Sequence, residues 1–72
     1  MRKGYNVSLI LKRIGVVVDE YDNTIDIYEK DNTVQAISVA VEILEGLMAF
    51  KEDNTYYLEK GEIVTLIPRN AF

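Results

Sequence analysis

Between Thr33 and Phe50 the apolar side chains fall into two adjacent helical rows instead of one. Val34, Ile37, Val41, Leu44 and Met48 recur at steps of three and four, and Ala36, Ala40, Ile43, Leu47 and Phe50 do the same beside them, the spacing that stacks side chains on one side of a helix. At about 100° per residue the two rows cover roughly 220°, about twice the stripe that a single neighbour buries. Gln35, Ser38, Glu42 and Glu45 form the narrow wet strip that is left. The pattern predicts a helix that lies on its own sheet with one side and on a second copy with the other, with Val34, Ile37, Val41, Leu44 and Met48 as the dimer interface.

The start of this helix is well marked. Asn32 is positioned to cap the first turn, Gln35 three residues on completes a capping-box spacing, and Asp31 adds negative charge where the helix dipole favours it;. Its end has two readings. An end near Phe50 keeps Gly46 in the interior at up to ~1 kcal/mol and uses Asp53-Asn54 as the exit, whereas an end at Gly46 makes Leu47 to Glu52 an additional strand. The continuing apolar rows favour the first.

Alternation governs the rest of the chain. Val7 to Ile14 reads as a strand, with Val7, Leu9 and Leu11 on one face and Ser8, Ile10 and Lys12 on the other;. Gly15 then marks a bulge or bend before an extended Val16 to Tyr21. Asp22-Asn23 tolerates the left-handed backbone of a tight turn, so Thr24 to Lys30 returns antiparallel and Asp19 faces Asp26. Tyr56 to Glu59 and Glu62 to Ile67 form a second hairpin around Lys60-Gly61, closed by Pro68, which has no N–H for a ladder. Tyr56 and Tyr57 point to opposite faces of their strand. The last strand is apolar on both faces, Ile63 and Ile67 against Val64 and Leu66, which implies cover on two sides. The expected fold class is α+β: a single domain over residues 1–72, with a small antiparallel sheet of two hairpins and about four to five strands packed on one central helix, in the order β-β-(β)-α-β-β.

Size sharpens the expectation of assembly. A chain of 72 residues buries only about 60% of the surface its unfolded form exposes, so small domains lean on disulfides, metals or oligomerisation. There is no cysteine and no histidine, which removes disulfides and ordinary structural zinc and leaves a homodimer. At 49% hydrophobic and 28% charged residues the composition is that of a folded domain, not a disordered one. Val7 to Leu11 is too short for a secretory hydrophobic region and no stretch approaches the ~20 apolar residues of a membrane span, so a cytoplasmic protein without membrane contact is expected.

The same inventory narrows the chemistry. Without histidine or cysteine there is no Ser-His or Cys-His pair, and Ser8 and Ser38 have no base nearby in sequence. The four glycines are isolated and form no phosphate-binding loop. No catalytic residue, cofactor or metal site is expected, and the protein is read as a non-enzyme.

Charge supplies the remaining signal. Asp19, Glu20, Asp22, Asp26, Glu29 and Asp31 gather half of the 12 carboxylates of the chain within one hairpin, against Lys30 alone;. Asp19 and Asp26, opposed across the strands and flanked by Tyr21 and Tyr28, put like charges together, which destabilises a sheet. Such a face suits a solvated edge that resists aggregation or a docking surface for a basic protein, with Asp19, Tyr21, Asp26 and Tyr28 as the contact residues. The spacing of these acids lacks the order and the glycine of a calcium-binding loop. By analogy of size and charge alone, a small acidic protein of this kind suits an inhibitor encoded by a phage or mobile element. The alternative is a small transcriptional regulator that binds nucleic acid through the basic pairs Arg2-Lys3 and Lys12-Arg13. A net charge of −4 disfavours nucleic acid, because affinity for the phosphate backbone rests on Lys and Arg.

Overall fold

The computed structural model describes residues 5–70 and shows two helices and a five-stranded sheet. Its first element is helix α1 (Val7–Arg13), where alternation predicts a strand. The Asn6 side chain caps it by accepting a hydrogen bond from the Leu9 N–H at 3.0 Å, and Lys12 and Arg13 occupy the last turn, where positive charge is favoured;. Gly15 is the stop. With φ at +92° it follows the cap residue Ile14, its N–H bonds to the Lys12 carbonyl, and the Val16 N–H bonds to the Leu11 carbonyl, the paired closure of a Schellman motif. Val7, Ser8 and Leu11 share the buried side of the helix. A run this short fits both periods, and its cap residues decide.

The chain then enters the first hairpin, β1 (Asp19–Tyr21) and β2 (Thr24–Tyr28). Asp22 has φ at +50° in the two-residue turn, and the register pairs Asp19 with Asp26 and Tyr21 with Thr24, as the sequence predicts. A single 3₁₀ turn, Glu29–Asp31, leads to helix α2 (Val34–Leu47). Its cap is Thr33, whose hydroxyl accepts from the Ala36 N–H at 3.1 Å, and not Asn32. Asn32 is buried: it accepts from the Val17 N–H at 2.8 Å and donates to the carbonyls of Val17 at 3.2 Å and Tyr28 at 3.0 Å. It ties the segment that enters β1 to the end of β2, and so is committed elsewhere than the helix terminus.

Helix α2 ends at Leu47 and passes directly into β3 (Met48–Glu52), with the cap residue Met48 already extended. The shorter reading of the helix therefore holds in substance. Gly46 lies inside the last turn without a positive φ, and Phe50 belongs to a strand. β3 pairs with β4 (Thr55–Leu58) around Asp53, at φ +53°. β4 pairs antiparallel with β5 (Ile63–Ile67) around Gly61, at φ +110°. The sheet order is β1-β2-β5-β4-β3, and β2 and β5 run parallel. The sheet is thus mixed instead of wholly antiparallel, and two helices pack on it instead of one.

Both helices lie on one face. Ile25, Ile27, Tyr56, Leu58, Val64 and Leu66 from the sheet form one buried cluster with Val7, Leu11, Val16, Ala40 and Leu44. The Lys60 ammonium bonds to the Tyr5 carbonyl and sits 4.1 Å from the Tyr5 ring centroid, fastening the β4–β5 turn to the start of α1;. Of the row expected at a dimer interface, Leu44 is fully buried within the chain, and Ile37, Val41 and Met48 pack against the same core. Val34 alone is 70% exposed. The covered arc of α2 runs from Ala36 to Val41, about 140° at 100° per residue. It is narrower than the sequence suggests because Phe50 leaves the helix and Val34 and Val39 stay on its rims. No helix among the described residues is long and apolar enough to cross a membrane.

Candidate docking face

With both helices on one side, no element among the described residues covers the other face of the sheet. Alternation along each strand settles which side chains stand there, and the register aligns them in rows across the sheet. One row reads Tyr21, Thr24, Ile63, Tyr57, Phe50; the next reads Asp19, Asp26, Thr65, Thr55, Glu52; Tyr28 and Ile67 begin a third. None of these positions is lysine or arginine.

The face has two halves. Toward β3, the Phe50 and Tyr57 rings stack with centroids 4.5 Å apart and planes 11° from parallel, an arrangement favoured by aromatic pairs. Phe50 nevertheless stays 55% exposed; Ile63, next to Tyr57 in the same row, and Ile67, opposite Tyr28, are half-buried. The bulge at Ala49 makes this possible: the register shifts between Met48 and Phe50, so Met48 turns to the core while Phe50 turns out. Toward β1, Asp19 and Asp26 sit directly opposite each other between Tyr21, 59% exposed, and Tyr28. Partial burial and then the Asp26 and Asp19 carboxylates push the Tyr28 phenol above its ordinary pKa; the neutral phenol is favoured where negative charge is dense. Between the halves the hydroxyls of Thr55 and Thr65 approach to 3.4 Å.

The four contact residues expected from sequence, Asp19, Tyr21, Asp26 and Tyr28, are therefore brought together on one surface. The other half, Phe50, Tyr57, Ile63 and Ile67, is not among the residues expected from sequence. Its signals lie in a last strand apolar on both faces and in the adjacent tyrosines, but helical spacing carries Phe50 into the pattern of α2.

No protein-family model matches the chain, and no match is found among curated proteins or solved structures.

The remaining candidate chemistry is scattered. Lys12 is held by Glu20 at 2.6 Å, and that hydrogen bond, with the Ser8 hydroxyl nearby, keeps the Glu20 carboxyl below its ordinary pKa;. Ser8 Oγ itself is sealed from solvent and completes no hydrogen bond of sound geometry;. It lines a polar cleft of about 210 Å³ with Asn6, Asp22, Asn23, Lys60 and Glu62, but a hydroxyl closed to solvent is not poised to attack a substrate. Arg13 is exposed in the last turn of α1, while Arg2 and Lys3 lie outside the described residues. Among the described residues no group of three or more carboxylates is positioned to hold a metal ion.

Proposed function

We propose that the chain is a non-enzymatic protein-binding module, of inhibitor or adaptor type, whose open sheet face docks a basic protein. One observation carries this reading: five strands present aromatic and aliphatic side chains beside three carboxylates on a face without a single basic position. Exposed apolar area rimmed by charge is characteristic of interaction sites, and opposed carboxylates that repel each other in the free protein are relieved by a cation between them. The absence of histidine and cysteine from the sequence supports binding over catalysis, and the acidic face supports a protein partner over a nucleic acid.

Homodimerisation, expected from the width of α2, is a separate proposal that this face does not favour. Two copies meeting face to face would set Asp19, Asp26 and Glu52 against the same residues. Sedimentation at micromolar concentration separates the cases: a mass of 8.2 kDa supports a monomer offered to another protein, and twice that mass supports self-association.

The docking role is tested by affinity purification from the native cytoplasm with three baits, the natural chain, Asp26→Lys and Tyr57→Ala. The expected result is a basic protein that co-purifies with the natural chain, is released as salt rises, and is lost or strongly depleted with both variants. Partners retained equally by all three baits would remove the face from the binding site.

A further inference from the structure

We infer that the element of the partner seated on the open face is an amphipathic helix with a basic residue about two turns from an apolar anchor; this rests on the docking role proposed above. The sheet itself selects a helix. β5 is the middle strand of five, runs parallel to β2, and carries isoleucine on its open side. Wholly parallel sheets are covered on both faces; this sheet is mixed, but its inner parallel pair carries Tyr28, Ile63 and Ile67 on the uncovered side, and a helix layer on each face of a sheet is one of the few stable architectures. The main-chain N–H and C=O groups of the inner strands are used in their ladders. An extended segment laid across them would lose water from its own backbone without finding partners, whereas a helix arrives with its hydrogen bonds made.

The two halves of the face fix the spacing. Asp26 lies two strands away from Tyr57 and two residues along, about 12 Å at ordinary strand dimensions. Two turns of helix advance about 11 Å. An apolar side chain over Ile63 and Tyr57 therefore brings the side chains seven and eight positions on to the Asp19–Asp26 pair, where lysine or arginine is required. The helices of a second copy do not meet this description: α2 contains Glu42 and Glu45 and no basic residue, and the apolar side of α1 is already buried in its own core.

The experiment is an NMR titration of the ¹⁵N-labelled full chain with three synthetic peptides of about 14 residues, long enough for four turns. The first has a phenylalanine anchor and two lysines seven and eight positions on; the second is the same peptide with a central proline; the third has the lysines replaced by glutamate. The first peptide is expected to shift the amides of Tyr57, Ile63, Thr65 and Asp26. The proline peptide, its helix broken, should bind at least about tenfold more weakly, and the glutamate peptide should not bind. Asp26→Lys, with Asp19→Lys as a second variant at a more exposed position, should weaken the first peptide about fivefold or more and admit the third. Equal affinity of the helical and proline peptides, with shifts still on this face, overturns the helix and leaves the docking role standing. Shifts confined to the helical side, or none with any peptide, overturn both.

Discussion

Tyr56 and Tyr57 are neighbours in the chain and stand on opposite sides of one strand. Tyr56 is 1% exposed and completes the core beneath the helices, whereas Tyr57 stacks on Phe50 on the open side. The same division runs through β5, where Val64 and Leu66 are buried and Ile63 and Ile67 are half-buried. The covered face is apolar because α1 and α2 exclude water from it. The open face is apolar in part, with no element among the described residues to account for it. A residue kept for folding and a residue kept for contact have the same chemistry here, and only the layer above them tells them apart.

Alanine at each tyrosine measures that division directly and gives the largest expected effect. Tyr56→Ala removes a fully buried ring and should cost about 3–5 kcal/mol, the range for deleting a large core aromatic. Tyr57→Ala forfeits one stacked contact with partial burial and should cost about 0.5–1.5 kcal/mol. Urea titrations followed by circular dichroism supply both numbers. Equal losses would mean that the open face is a second core, and the comparison would fail.

How much of this could be read in the sequence depends on how local each signal was. The first hairpin was legible to the residue pair, because Asp22-Asn23 fixes the turn and the turn fixes the register that opposes Asp19 and Asp26. In the second, Gly61 marks the turn but not the register, which sets Tyr57 opposite Ile63 and Tyr56 opposite Val64. Helix α1 was not legible, since Val7 to Ile14 is rich in β-branched and aliphatic residues and too short for its period to declare itself; the capping of Asn6 and the left-handed Gly15 outweigh propensity;. The parallel pairing of β2 and β5 joins strands separated by α2, β3 and β4, and no short-range pattern encodes it. Part of the apolar width of α2 is accounted for within the chain. Part of the pattern belonged to β3, and part of the helix is covered by the chain's own core.

Polar residues divide between the two layers as the tyrosines do, which yields the next prediction. Asn32 lies on the covered side with three hydrogen bonds to main-chain groups of Val17 and Tyr28. Asn32→Leu keeps the volume but orphans those groups, and should destabilise by about 1–3 kcal/mol. Hydrogen exchange should quicken first around Val17 and Tyr28, where the side chain joins two segments. A neutral outcome would show that water replaces the clamp without loss, and that burial of Asn32 is incidental.

On the open side the sign reverses, and the effect is the smallest. Asp26 faces Asp19 with no basic side chain among the strand positions of that face, so Asp26→Asn should stabilise the free protein by about 0.2–1 kcal/mol, the range for relieving a cross-strand like-charge pair. The Tyr28 phenol reports the same change in solution. Its pKa is raised by partial burial and then by Asp26 and Asp19. A tyrosine raised in the folded state contributes stability that is fully present below its ordinary value of about 10 and is lost as pH rises through the raised value. Removing the Asp26 charge should therefore bring Tyr28 to ionise at lower pH, though not fully to its ordinary value, because the burial remains. Ultraviolet titration of tyrosinate, with Tyr28→Phe to assign the signal, reads the shift. A substitution that stabilises the isolated chain while weakening the helical peptide would show that the opposed carboxylates serve contact at the expense of folding, the reverse of what Tyr56 and Asn32 do on the covered side. If Asp26→Asn instead destabilises, the pair is held by a favourable interaction within the chain, and the open face loses its electrostatic reason to accept a cation.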